Sequence, residues 1–461
     1  MHLPHKSGVA LKGRAWYNPF ITAERKINVR AIDGKGLKAL FADAAARNAF
    51  HGAVGVYEGG RAVYEYAAGL ADFDAGRPLS TDSLFDLASV TKQFTASAVM
   101  LLWQRGKLSP GDSLQKYYPK VPYPGVTLEM LLNHTGGLPD EDWCVQFLGR
   151  TDRPASNADL IEILENQPAA PLFRPGGGWA YSNIAYELAA SIVEKTADCG
   201  FEDFLKRELF APAGMEATTV YHRYAGAPVP EGFADSRVIE NGNLARPDAS
   251  AGARFIIPLE GVNGAGLVYT NVGDMCRWDT ALRGGRLLNE AAQARMRMPV
   301  DTGTGEQYGL GWFIAEGGAL MRHGGFWPGY VNEFSRWPEA GRTLVILTNL
   351  TRDQRAMDSL AECARALVAG REAPRFETTL DRMDASVSSK SMEALAGRYA
   401  PGEARFHDGA LYFTWGDGVD LPLIPVGENL FQSPADRNDY IFSEGALTVR
   451  NRRGGRRLTK A

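Results

Sequence analysis

The chain has 461 residues, 45% hydrophobic and 23% charged, with 51 Gly and 25 Pro, a composition that excludes a disordered or fibrous protein and fits about two or three globular domains. Lys plus Arg is 50 against Asp plus Glu at 54, a formal charge of −4, too weak a field to select a nucleic acid or another charged polymer. Cys144, Cys199, Cys276 and Cys363 are far apart and form no CxxC pair, so reduced thiols are expected rather than a disulfide framework. Residues 1–30 show no basic start followed by an apolar run, and no apolar stretch of about twenty residues occurs; a cytoplasmic protein with no membrane partner is expected.

Taken in chain order, an N-terminal extension over 1–30 precedes a first strand pair. Residues 53–57, a Glu-Gly-Gly turn and residues 61–66 read as a β-hairpin. Over 89–105, Val90, Phe94, Ala98, Leu101 and Leu102 fall at helical spacing, with Gly106 as a stop signal, which predicts a buried helix opening at Ser89. From about 110 to 260 the periodicity is mostly helical, with candidates at 128–133, 157–166, 184–196 and 201–210, an inserted helical lobe. Strand patterns return at 308–315, 319–323, 331–337 and 343–348, followed by a helix near 355–368, and these complete a domain over 31–370. Residues 371–391 are charged and Ser-rich and read as a linker. Beyond it, 392–461 alternates, with turns at Asp408-Gly409 and Glu444-Gly445, the pattern of a small antiparallel β domain. Its basic end, 452–460, reads as a solvated strand and tail rather than a binding patch.

Ser89-Val90-Thr91-Lys92 places a hydroxyl at the first turn of a buried helix and an amine one turn on, on the same face. A serine attacks a carbonyl only if its proton is removed, and a desolvated lysine near a helix N-terminus can act as that base. Ser113-Leu114-Gln115-Lys116 repeats the spacing, but in a stretch with no helical pattern. Tyr181-Ser182-Asn183 follows a Pro-Gly-Gly-Gly turn at a helix entrance; the phenol can relay a proton and the amide can hold a substrate carbonyl or amide. His323-Gly324-Gly325 ends a predicted strand, where glycines leave an edge open to an extended acyl chain. Each element has a plainer reading: Ser89 and Asn183 as helix N-caps, Tyr181 as a packed aromatic, His323 as a solvent-facing turn residue.

In this order the elements resemble the serine β-lactamase and penicillin-binding-protein superfamily, above all the class C β-lactamase, D-aminopeptidase and family VIII esterase branch. Supporting stretches include Phe85-Asp86-Leu87-Ala88, Leu131-Leu132-Asn133-His134-Thr135-Gly136-Gly137-Leu138, Phe173-Arg174-Pro175-Gly176, and Gly264-Ala265-Gly266-Leu267 leading to Asp274 and Trp278. The resemblance spans about 50–350. It implies an α/β (α+β) transpeptidase-like fold, an antiparallel sheet flanked by helices, with a small lipocalin-like β-barrel at the C-terminus. It also implies Ser89 as nucleophile, Lys92 and Tyr181 as shared base and acid, substrate contacts from Asn183, His323, Gly324 and Gly325, and an oxyanion hole from the N–H groups of Ser89 and Phe326.

His323 stands where many relatives carry a lysine in the third motif. A neutral imidazole recognises a carboxylate poorly, so a small ester, an amide or a short peptide is the expected substrate rather than a β-lactam. An acyltransferase and a slowly released penicillin-binding sensor are the alternatives. Gly111-Asp112-Ser113-Leu114 spells a GDSL lipase block, but no histidine has Asp three positions before it; a GxSxG elbow, an HExxH pair and a phosphate loop are absent. No metal and no cofactor are implied. His134-Thr135-Gly136 precedes Tyr181, out of order for a third motif, and is expected to be a structural turn. Oligomeric state is not encoded in any of these features.

Overall fold

The computed structural model describes residues 30–148, 153–250, 253–416, 418–451 and 454–460; nearly all of the expected N-terminal extension lies outside them. The segment before the first hairpin forms α1 (Gly34–Ala46), whose buried stripe is Leu37, Phe41 and Ala44, an element the sequence reading leaves unassigned. The hairpin is β1 (Gly52–Glu58) and β2 (Arg61–Ala68), turned on Gly59 and Gly60 at positive φ. Ser89 does not open the α-helix directly: a 3-10 turn over Ala88–Thr91 leads into α2 (Lys92–Gln104), which is buried from Lys92 to Leu102.

Helices then predominate. Those that matter for the site are α3 (Asn157–Asn166) and α4 (Asn183–Ala197), the second buried from Ile184 to Val193. The run from Phe201 contains a π turn over Lys206–Phe210, and Leu114–Tyr117, expected as loop, is a one-turn helix. A further helix, α5 (Val272–Arg283), escapes the periodicity reading because a charge lies in its buried face. Asp279 accepts from Arg336 Nε at 2.6 Å, from Thr343 Oγ1 at 2.6 Å and from Arg283 Nε at 2.9 Å, so a fully buried carboxylate is satisfied by three donors.

The strands β3 (Val300–Asp301), β4 (Gln307–Tyr308), β5 (Phe313–Ala315), β6 (Leu320–Trp327), β7 (Tyr330–Trp337) and β8 (Arg342–Thr348) follow, then α6 (Gln354–Val368). The strand expected over 308–315 is therefore two short strands, bent where Gly311 at φ +79° packs against the backbone of Lys92 and Gln93. The eight-stranded sheet runs β3-β4-β5-β6-β7-β8-β1-β2, antiparallel throughout. Alternation sorts its side chains: Val54, Val56, Leu344 and Ile346 pack with α1 and α6, while Ala53, Tyr57, Val345 and Leu347 join the larger core that includes α2, α4 and α5. The body is thus mixed α/β, with helices on both faces of a large antiparallel sheet, the architecture expected above.

At the C-terminus, β9 (Gly397–Tyr399), β10 (Gly402–His407), β11 (Ala410–Thr414), β12 (Leu421–Gly427), β13 (Leu430–Gln432), β14 (Asp439–Ser443), β15 (Ala446–Asn451) and β16 (Gly454–Thr459) pair in sequential order. A bridge between Tyr399 and Lys460 joins the first strand to the end of the last, closing the sheet around Leu411, Phe413, Phe431, Tyr440 and Leu447. Residues 452–453 of the basic tail lie outside the described residues. The segment 371–391 is docked on the main body: Thr379 Oγ1 donates to Asp353 at 2.9 Å, the Glu377 N–H to Ser359 Oγ at 3.0 Å, and Arg47 pairs with Asp381. Arg437–Asp358 at 2.6 Å and Arg355–Asp439 at 3.0 Å join barrel to body. No helix among the described residues is long and apolar enough to cross a membrane.

Candidate active site

Ser89 sits in a backbone clamp. Phe85–Asp86 pairs with Val268–Thr270, the Leu87 N–H donates to Val268 O at 2.8 Å, and Asn332 Nδ2 donates to Asp86 O at 2.8 Å. Asp86 Oδ1 accepts from the Ala88 N–H at 2.7 Å. Ala88 has φ +48°, a left-handed conformation that a residue with a Cβ adopts at a cost of about 1–2 kcal/mol. It redirects the chain into the 3-10 turn Ala88–Thr91, whose N-cap position is Leu87; Ser89 therefore caps no helix, and its hydroxyl meets Lys92 Nζ instead. Burial, and then Glu260, push the Asp86 carboxyl up to about 8.

Lys92 is fully buried. Its Nζ lies 3.2 Å from Ser89 Oγ, 2.6 Å from Asn183 Oδ1 and 3.2 Å from the Ala265 carbonyl oxygen. The last two oxygens can only accept, because Asn183 Nδ2 is committed to Glu141 Oε1 at 3.0 Å and so fixes the amide's orientation. Two tetrahedral positions of Nζ therefore hold hydrogens, and the third, facing Ser89, accommodates either a proton or a lone pair without rearrangement.

Tyr181 lies with its ring centroid 4.8 Å from Lys92 Nζ. His134 brackets it: the Ala180 N–H donates to His134 O at 3.1 Å, the Ser182 N–H to His134 Nδ1 at 3.2 Å, and the two rings are 4.4 Å apart. The His-Thr-Gly segment is a turn, with His134 at φ +63°, and it props the phenol. The helix cap after Tyr181 is Ser182, whose side chain accepts from the Ala185 N–H; that leaves the Asn183 amide free to face Lys92 rather than cap α4. At the other SxxK match, Lys116 bonds Asp112 at 2.8 Å and is half-exposed.

His323 differs from its expected placement. β6 continues through Gly324, Gly325, Phe326 and Trp327, so the histidine is within a strand, 2% exposed, and its Nε2 meets Tyr308 OH at 3.1 Å while Nδ1 meets Gly324 O at 2.6 Å. Burial, together with nearby Lys92, pushes the imidazole down to about 3, so it is neutral at ordinary pH, and its ring does not line the cleft. The strand edge beyond it does flank Ser89: β5 pairs with β6 only as far as Arg322, and a Cβ on Gly325 would lie 2.2 Å from Leu87 O. Phe326, 51% exposed, lines a small cleft of about 60 Å³ with Ser89 and Asn183; Gly324 and Gly325 precede it on the same strand.

Sequence reasoning overlooks Glu141 and Glu187, which line the same cleft. A signal for Glu187 exists: it follows Asn183 by four residues on α4, so both emerge on one helix face. No group of His, Cys, Asp and Glu among the described residues has the arrangement of a metal site.

The β-lactamase family model matches residues 37–367. The chain belongs to the β-lactamase family. Penicillin-binding protein 4* of Bacillus subtilis (strain 168) is 31% identical over 411 residues, covering 86% of this chain and 91% of that protein. Esterase EstB of Burkholderia gladioli is 31% identical over 322 residues, covering 60% and 77% respectively. Among solved structures, D-amino acid amidase from Ochrobactrum anthropi SV3 in complex with L-phenylalanine superimposes with a TM-score of 0.58 at 25% identity, covering 68% of this chain and 90% of that one. This β-lactamase-family chain is accordingly a serine hydrolase, with an esterase and an amidase among its relatives.

Proposed function

We propose that this β-lactamase-family protein cleaves a small ester or amide through an acyl intermediate on Ser89. The observation that carries the reading is the 3.2 Å approach of Lys92 Nζ to Ser89 Oγ with its other two hydrogens held by obligate acceptors. In the first half-reaction Oγ bonds to the substrate carbonyl carbon and its proton passes to Lys92, with Tyr181 relaying a proton to the leaving alcohol or amine as that bond breaks. The backbone N–H groups of Ser89 and Phe326 would hold the developing oxyanion, and Asn183 would hold Lys92 and a substrate amide. Water then repeats the sequence on the acyl-serine. His323 enters this scheme as a buried prop for β6, and Gly324 and Gly325 as the strand edge beside the acyl group.

The same reading assigns 31–370 to the catalytic unit, with its helical lobe over about 110–260, 371–391 to a connecting strap, and 392–461 to a separate β-barrel. The four free cysteines support a reducing, cytoplasmic setting. Exposure of the wild-type protein and Ser89→Ala to p-nitrophenyl butyrate tests the assignment. Nitrophenol release and a butyryl adduct by intact mass are expected from the wild type alone; full turnover by a folded Ser89→Ala variant would overturn it. Product analysis with an added alcohol or amine separates hydrolysis from acyl transfer.

A further inference from the structure

The cleft beside Ser89 has an apolar wall formed by Leu259, Val262, Leu267 and Trp327. Neither Lys92 nor Tyr181 is among the described residues that line it. A phenol that protonates the leaving group must face the departing alcohol or amine, so this cleft receives the part of the substrate that stays on the serine. With a volume of about 60 Å³, and roughly 10–15 Å³ for each water-sized position, it holds about four to six heavy atoms. A butyryl group with its carbonyl oxygen fills that space, and a hexanoyl group exceeds it.

The wall is fixed from two directions. Trp327 Nε1 donates to Glu260 Oε1 at 2.8 Å, and the Phe255 ring meets the indole edge-on with centroids 6.2 Å apart. Glu260 is 2% exposed, and a carboxyl so deeply buried is costly unless it is bonded; here it holds the indole N–H. The segment that carries it is tied down in turn: the Ala155 N–H donates to Pro258 O at 2.7 Å, His222 Nδ1 meets Glu260 O at 3.0 Å, and the Asn263 N–H donates to Asn157 Oδ1 at 2.7 Å. Beyond the indole, a Cβ on Gly329 would lie 2.5 Å from Ser236 Cβ, so the turn that ends β6 is packed without slack. We propose that Trp327 sets the length limit of the acyl group and that Glu260 is a positioning residue that pins its indole in the wall. This inference rests on the acyl-serine reading of Ser89.

The test is the ratio of kcat/KM for p-nitrophenyl hexanoate to that for p-nitrophenyl butyrate, measured on the full chain. Loss of folded or active molecules lowers both constants together and leaves the ratio unmoved. In the wild type the hexanoate should be poorer by about tenfold or more, the range for methylenes that a pocket rejects. Trp327→Ala should bring the ratio to within about threefold of unity. Glu260→Leu, which cannot accept from the indole, should move it in the same direction, and Glu260→Gln, which keeps an acceptor, should stay near wild type. A wild-type ratio at or above one would overturn the proposal without any variant, as would a ratio unchanged by both Trp327→Ala and Glu260→Leu in variants with native circular dichroism. Equal shifts in Glu260→Leu and Glu260→Gln would overturn the positioning role of Glu260. Should Trp327→Ala fail to fold, the wild-type ratio and the two Glu260 variants decide. Intact mass separates the two levels: a butyryl adduct on Ser89 together with a wild-type ratio of one or more refutes the length limit alone, whereas no adduct with either ester refutes the acyl-serine reading beneath it.

Discussion

Gly325→Ala tests whether the spacing between β6 and the nucleophile turn matters. A Cβ at this position would lie 2.2 Å from the Leu87 carbonyl oxygen and 3.3 Å from Asn332 Nδ2. Neither neighbour can yield locally, because Leu87 is tied to Val268 and Asn332 holds both Asp86 O and the Thr348 N–H. Ordinary contact begins near 3.4 Å, so strand and turn must separate by about 1.2 Å. Overpacking of this kind costs about 1–3 kcal/mol, a fall in melting temperature of roughly 1–4 °C for a unit of this size. The same displacement moves Phe326 away from Ser89, and a misplacement of about 1 Å in a catalytic constellation lowers rate on the order of 100-fold. Steady-state kcat/KM on p-nitrophenyl butyrate and a thermal melt read both effects. Gly324→Ala is the comparison, since its Cβ meets nothing nearer than Asn332 O at 3.5 Å and its melting temperature should fall less. Activity of Gly325→Ala within threefold of wild type, with an unchanged melt, would refute the argument.

Lys92→Met keeps the length of the side chain but removes the proton acceptor, so kcat/KM should fall by about 10²–10⁴-fold. Residual activity above a tenth of wild type in the same ester assay would count against Lys92 as the base. Asp86→Asn retains an acceptor for the Ala88 N–H and should flatten the pH dependence of stability. The folded Asp86 carboxyl titrates at about 8 against roughly 3.9 in an unfolded chain. Its contribution is therefore fully present below about pH 3.9 and is lost as pH rises toward 8. Melting temperatures measured from pH 4 to 8 should fall more steeply for the wild type than for the variant; parallel curves would contradict the assigned shift.

Much of the site is legible in the sequence because it is local. Ser89 and Lys92 are one turn apart, and Tyr181 and Asn183 flank a residue with cap chemistry, so spacing alone brings each pair together. What spacing cannot show is which residue takes the cap: Ser182 does, because its hydroxyl reaches the Ala185 N–H, and only then is the Asn183 amide available to Lys92. His323 was legible as a residue type but not as an environment, since its burial depends on Tyr308 and Phe313 arriving from neighbouring strands. The acidic wall is invisible for a related reason. Glu141 and Glu187 are 46 positions apart along the chain and come to the same cleft only in the fold. In the fold, hydrophobic periodicity finds α3 and α4 but not α5, where Asp279 breaks the apolar pattern while serving Arg336 and Thr343 across the sheet.

The two fixed acceptors around Lys92, with the Ser89 hydroxyl at its third position, have an implication for the proposed acyl-serine reaction. On the proposed reading, α2, α4 and the Gly264–Leu267 loop already hold Lys92 Nζ within hydrogen-bond distance of Ser89 Oγ, Asn183 Oδ1 and Ala265 O, so activation would require only a hydrogen nucleus to change owner. Most of the reorganisation that solvent would otherwise demand would then be completed when the chain folds, which would make the reactivity of one alcohol a property of the rigid interior.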